Sequence, residues 1–155
     1  MGMKSLPDPA SKTGLGTAGA QDEIVVSIRS DLDIVAARQR GRTLAESLGF
    51  GPSDSTLVAT AISELARNIL VYAQCGEVRL ALVENSGKRG LMIIAADQGP
   101  GIPDLRLALQ DGYSTSRSLG LGLPGVRRLM DEFEIQSSVG RGTRVVVKKW
   151  LANSR

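Results

Sequence analysis

The chain contains no histidine. That excludes a Ser–His–Asp triad, an imidazole metal ligand, imidazole acid–base catalysis and a phosphohistidine on this chain. Its single cysteine, Cys75, cannot form an internal disulfide, so a disulfide scaffold is excluded and a reducing compartment fits. Aromatics are scarce, with two Phe, two Tyr and one Trp, and none interleaves with basic residues as a base-stacking platform requires. Long apolar runs are also missing. The longest is Leu91–Ala96, six residues, whereas a membrane span needs about 18. The N-terminus has no apolar signal region, and a myristoylation start at Met1-Gly2 fails because Leu6 stands where Ser or Thr is required.

What is present points to one globular domain. At 155 residues, roughly 70% of the unfolded chain's surface can be buried without staples. The net charge of +3 is a small surplus. It is unevenly placed: Ile135–Arg155 carries five basic residues and no acid. That stretch fits an acidic partner, a phosphate or a solvated strand edge protected by lysine.

Residues 1–22 are rich in Gly, Ala, Ser, Thr and Pro and read as a disordered leader ahead of a domain over 23–152. Ile24–Ile28 is β-branched and predicts a strand. Ser30-Asp31 then caps a helix near Leu32–Leu48, stopped by Gly49. Ser53 or Asp54 caps a longer helix to about Ala73, whose apolar face is Leu57, Ala61, Ile62, Leu65, Ile69 and Tyr72. Strands follow over about Glu77–Val83 and Leu91–Ala96, joined by a turn over 85–90. A Gly/Pro segment, Asp97–Pro103, leads to a short helix near Asp104–Gln110 and a small polar loop, Asp111–Leu119. A helix over about Leu121–Met130 precedes a last hairpin, Phe133–Ser138 and Thr143–Trp150. Strands in pairs separated by helices predict an α+β, two-layer domain with helices on one face of a mixed, mainly antiparallel sheet. Cys75 reads as a small hydrophobe near a helix end, and Trp150 as packing at the end of the last strand.

Four constellations carry chemistry. Glu64 and Asn68, four residues apart on the second long helix, share a face. A carboxylate accepts a proton and an amide oxygen suits Mg²⁺, although such a pair also occurs on solvated faces. Asp97 ends an apolar strand and opens Asp97-Gln98-Gly99-Pro100-Gly101. It suits a planar hydrogen-bond donor approached closely over glycine backbone, or an ordinary strand-to-helix turn. Gly120-Leu121-Gly122-Leu123-Pro124 leads into a helix. It exposes amides to an anion, or is a flexible loop; it is neither a Walker loop nor a Rossmann fingerprint. Gly140-Arg141-Gly142-Thr143 turns a hairpin.

In this order, Glu-x-x-x-Asn on a helix, Asp-x-Gly-x-Gly after a strand, Gly-x-Gly before a helix and Gly-x-Gly-Thr resemble the N, G1, G2 and G3 boxes of the Bergerat fold. That is the GHKL superfamily of gyrase-type, Hsp90-type, histidine-kinase and mismatch-repair ATPases. The runs Ile34–Arg38, Thr60–Ile69, Asp97–Asp104, Gly122–Val126 and Arg128–Phe133 are similar to the anti-sigma-factor serine/threonine kinases, in particular the stressosome switch kinases. The resemblance covers about Ile24–Leu151.

The resemblance implies a cytoplasmic kinase that uses ATP and Mg²⁺ to phosphorylate Ser or Thr on STAS-domain scaffold and antagonist proteins of the stressosome. It also implies release from the scaffold and activation of a PP2C-type phosphatase in a general stress cascade, with no nucleic-acid or membrane partner. It implies that Glu64 takes the substrate hydroxyl proton, that Asn68 holds Mg²⁺, and that Asp97 binds the adenine amino group beside Thr143. Gly99 and Gly101 would shape the adenine pocket; Gly120, Leu121, Gly122 and Leu123 would cradle phosphate at a helix N-terminus. Ser114, Thr115 and Ser116 would donate to phosphate from a lid over Gly112–Arg117, with Arg117 adding charge. Two departures stand out: the N box ends Tyr72-Ala73 rather than His-Ala, and no phosphoacceptor helix precedes the domain. Alternative readings are a nucleotide-gated, anti-sigma-type binding module without essential turnover, and a sensor-kinase catalytic domain.

Overall fold

The computed structural model of the chain describes residues 23–110 and 121–152. The expected leader, the proposed lid with Ser114, Thr115, Ser116 and Arg117, and Gly120 lie outside the described residues.

The elements in chain order are β1 (Ile24–Ile28), α1 (Asp31–Leu48), α2 (Pro52–Ala73), β2 (Gly76–Asn85), β3 (Lys88–Asp97), α3 (Leu105–Ala108), α4 (Gly122–Leu129), β4 (Glu132–Ser138) and β5 (Gly142–Trp150). The strands form one five-stranded sheet in the order β1-β2-β3-β5-β4. Every neighbouring pair is antiparallel, so the mainly antiparallel sheet contains no parallel pair among the described strands. Period-two alternation sends Val78, Leu80, Leu91, Ile93, Ala95, Val145 and Val147 into the core. They meet Ile34, Ala37, Val58, Ile62, Leu65 and Ile69 of the helices and Val126 of α4. Each of the Val, Leu and Ile side chains among them contributes about 1.5–3 kcal/mol on full burial.

Several local readings shift. Ser30 is the N-cap of α1 as expected, and Asp33 is its capping-box partner: the Asp33 carboxylate Oδ2 accepts the N–H groups of Arg29 and Ser30, at 2.8 and 3.1 Å. Helix α2 starts before Ser53, with Gly51 at the N-cap and Pro52 in the first turn, where a missing N–H costs little. Asp104 caps α3 as expected, accepting from Leu107 N at 3.1 Å. The β2–β3 turn is tighter than the expected stretch over 85–90. The strands run on until only Ser86-Gly87 remains, and both residues take positive φ, at 53° and 83°, as a two-residue hairpin turn requires.

The basic residues Arg144, Lys148 and Lys149 do not sit on a sheet edge, because β5 lies between β3 and β4. Lys148 pairs with Glu132 at 3.7 Å and Lys149 with Asp131 at 3.9 Å. Trp150 is half-buried at the end of β5, donating its indole N–H to Glu132 at 2.7 Å. Cys75 is exposed, which corrects the expectation of a packed small hydrophobe. On the helix-free face, Arg79 holds Glu77 at 2.7 Å and Glu23 at 3.2 Å. The hydrogen bond to Glu77 is the main reason its guanidinium is pushed above its ordinary pKa. No helix among the described residues is long and apolar enough to cross a membrane.

Candidate functional site

A cleft of about 250 Å³ opens between α2, the sheet and the start of α4. Its walls are apolar: Leu65 and Ile69 from α2, Ala95 and Val145 from the sheet, Ile102 from the loop after β3, and Leu123 from α4. Few polar groups enter it. Asn68 comes from α2, Asp97 from the end of β3, Thr143 from β5, and Gly122 from the first residue of α4. A few convergent polar groups in an apolar slot are the usual build of a small-molecule site.

Asp97 and Thr143 are brought together by the sheet, since they are partners in the β3–β5 register. The glycines around them let backbone approach backbone. Gly142 has φ of 104°, and a Cβ there would run into the carbonyl oxygen of Asp97. Gly101 has φ of 82°, and its Cβ would strike the carbonyl oxygen of Ser138. Gly99 donates its N–H to Asp97 Oδ1 at 2.9 Å, fixing one carboxylate oxygen and leaving the other for a further partner. The loop after β3 is thereby pinned against the β4–β5 turn, which adds a bond from Gly140 N to Pro100 O at 2.8 Å.

Ser137 completes this corner and was not singled out from the sequence. Its Oγ accepts Ile102 N–H at 2.7 Å, donates to Gly142 O at 3.1 Å, and lies 2.8 Å from Thr143 Oγ1. A hydroxyl has one hydrogen. With that hydrogen on Gly142 O, Thr143 donates to Ser137, and Thr143 Oγ1 keeps its lone pairs for a ligand. A signal existed: Phe133, Ile135 and Ser137 occupy the inward positions of β4, and Ser137 breaks the apolar series.

Glu64 lies one helical turn before Asn68 and is only 7% exposed. Its Oε1 accepts the N–H of Gly122 at 3.3 Å, and its Oε2 accepts Arg67 Nη1 at 3.1 Å. The carboxylate thus sits at the positive end of α4, where an unpaired amide favours an anion. Of the residues expected in the site, Asn68, Asp97, Gly101, Leu121, Gly122, Leu123 and Thr143 line the one cleft. Glu64 and Gly99 support it from just behind, through Gly122 and Asp97. Ser114, Thr115, Ser116 and Gly120 are outside the described residues.

Comparison with known proteins bears on what such a cleft holds. The family described as histidine kinase-, DNA gyrase B-, and HSP90-like ATPase matches residues 53–153. The chain is 56% identical over 130 residues to the serine/threonine-protein kinase RsbT of Bacillus subtilis, covering 84% of this chain and 98% of that one. It is 32% identical over 98 residues to an anti-sigma F factor of Clostridium kluyveri, covering 61% of this chain and 69% of the relative. Among solved structures, the RsbU and RsbW domains of a Mycobacterium tuberculosis protein align with a TM-score of 0.58 at 18% identity. That alignment covers 86% of this chain and 34% of the other, and it speaks for the fold alone.

Proposed function

The chain belongs to the histidine kinase-, DNA gyrase B- and HSP90-like ATPase family and is a serine/threonine-protein kinase within it; on that premise we propose that it phosphorylates STAS-domain scaffold and antagonist proteins with Mg-ATP. On this reading it then leaves the scaffold and activates a PP2C-type phosphatase in a cytoplasmic stress-signalling cascade. The kinase domain is taken as 23–152. The observation that carries the proposal is the gathering of Asp97, Thr143, Asn68 and Gly122 in one apolar-walled cleft, with the Glu64 carboxylate bonded to Gly122.

The roles follow from the chemistry of each group. Asp97 accepts the adenine amino group with the oxygen not used by Gly99, and Thr143 supplies a second acceptor. Gly99 and Gly101 keep the backbone close to the ring. Leu121, Gly122 and Leu123 present the N-terminal amides of α4 to phosphate. Gly120 would join that cradle, and Ser114, Thr115 and Ser116 would donate to phosphate from the proposed lid.

The residues present fit Mg²⁺, which takes one or two protein oxygens and completes its shell with water and phosphate. Asn68 would be its side-chain oxygen donor, and when bound the ion would neutralise phosphate charge. Glu64 takes the proton. The acceptor's O–H bond breaks as its oxygen bonds the γ-phosphorus, the proton passes to Glu64, and the γ-phosphorus–bridging-oxygen bond breaks with its electron pair leaving on ADP. Positioning and charge stabilisation suffice for such a transfer.

The likeness to an anti-sigma F factor favours a second reading, in which nucleotide binding gates capture of a partner. Glu64→Ala separates the two. With partner control read as phosphatase activation in a reconstituted mixture, the kinase reading expects control and phosphotransfer to be lost together. Control that survives without transfer would favour the binding module.

A further inference from the structure

Arg67 is absent from the cleft lining, yet it grips the carboxylate to which the transfer step assigns the proton. Glu64 and Arg67 are one turn apart on α2 and share a face. Glu64 is almost fully buried, whereas the Arg67 side chain is 41% exposed. The two carboxylate oxygens are divided between two kinds of donor: Oε1 takes the Gly122 amide at the start of α4, and Oε2 takes the guanidinium.

These donors differ in what competes for them. The Gly122 amide is one of the α4 N-terminal N–H groups that a nucleotide phosphate also seeks. Phosphate and the Glu64 carboxylate are both anions, so one displaces the other from that amide. Arg67 reaches the carboxylate from outside the described lining of the cleft and is not one of the α4 amides that phosphate seeks. Once the amide passes to phosphate, Arg67 is the donor that still fixes the carboxylate. Oε1 would then be released for an incoming hydroxyl, on a residue one helical turn before Asn68.

We infer that Arg67 is a positioning residue for phosphotransfer, holding Glu64 through Oε2 while Oε1 is handed from the Gly122 amide to the substrate proton. The inference rests on reading Glu64 as the proton acceptor. It adds a coupling: binding of the phosphates frees the base, so Glu64 engages substrate only when nucleotide is in place. A guanidinium suits the task because its planar fork fixes direction as well as charge.

The test uses the full chain with Mg-ATP and a purified STAS-domain protein as phosphoacceptor. Arg67→Ala, Arg67→Lys, Glu64→Gln and the double variant are compared for kcat, acceptor KM and ATP affinity by calorimetry. Arg67→Ala should lower kcat about 100-fold, the scale of a misplaced reacting group. ATP affinity and acceptor KM should stay near the parent values. Arg67→Lys should recover about a tenth of parent kcat, keeping charge but not the fork. The double variant should be no slower than Glu64→Gln alone, because Arg67 acts through that residue.

Unchanged kcat in Arg67→Ala beside an inactive Glu64→Gln would overturn this inference and leave the proton-acceptor reading standing. Near-parent turnover in Glu64→Gln would remove the proton-acceptor reading and this inference with it. A parallel loss of ATP affinity in Arg67→Ala, lysine no better than alanine, or a double variant slower than Glu64→Gln would each assign Arg67 another role and overturn it.

Discussion

Asp97 and Thr143 are register partners at the ends of β3 and β5, and the Thr143 hydroxyl is held 2.8 Å from Ser137. This corner sets an acidic acceptor beside a hydroxyl acceptor on the floor of an apolar slot. Asp97→Asn keeps an oxygen for Gly99 N–H but loses the charge. ATP affinity should fall about 10- to 100-fold, the worth of a hydrogen bond to a charged group. Calorimetry with an unchanged dissociation constant would refute the adenine assignment.

Ser137 ties three backbone or side-chain groups to one oxygen, so its removal is felt beyond its size. Ser137→Ala leaves Ile102 N–H without this acceptor and Gly142 O without this donor. Stability should fall by about 1–2 kcal/mol, as for loss of a partner from a half-buried polar group. Urea denaturation measures it, and a loss below a few tenths would contradict the role given to this hydroxyl.

Gly140 and Gly142 both hold positive φ, at 82° and 104°, but only one has a neighbour in the way. A Cβ on Gly140 meets nothing within 4 Å, whereas a Cβ on Gly142 runs into the Asp97 carbonyl. Gly140→Ala should cost about 1–2 kcal/mol for the left-handed backbone alone. Gly142→Ala should cost about 1–3 kcal/mol more, the scale of overpacking, and should weaken ATP binding as Asp97 shifts. Equal denaturation midpoints for the two variants would rule out the close approach.

Much of this corner was legible in the sequence because its signals are local. Asp97-x-Gly-x-Gly and Gly-x-Gly-Thr are contiguous, and the alternation of β2, β3 and β5 shows where their strands end. What stayed hidden depends on distant pieces of chain. Ser137 matters only because β4 lies beside β5 and the loop at Ile102 folds over it. Glu64 and Gly122 are 58 residues apart, and no spacing rule announces their bond. The β2–β3 turn is shorter than expected for a local reason. Asn85, Lys88, Arg89 and Gly90 have turn-like or polar character yet pair across the hairpin, leaving only Ser86-Gly87 between the strands. The habits of its residue type predict a packed Cys75, but it follows the end of α2 and is exposed.

Asn68 is the oxygen donor in the cleft assigned to Mg²⁺. Asn68→Ala should weaken ATP binding at least about tenfold in the presence of Mg²⁺, as loss of a metal contact does. With EDTA present the loss should be much smaller. Equal losses with and without Mg²⁺ would give the amide a contact to nucleotide rather than to metal.

The central claim, that this cleft transfers a phosphoryl group to serine or threonine on a STAS-domain protein, is tested most directly by mapping the product. The full chain is incubated with Mg-ATP and a purified STAS-domain protein, and the protein is then analysed by mass spectrometry. Acid-stable phosphoserine or phosphothreonine is expected on the STAS protein, absent when Glu64→Gln replaces the parent chain. Bound ATP with no phosphorylated serine or threonine on the acceptor would contradict it.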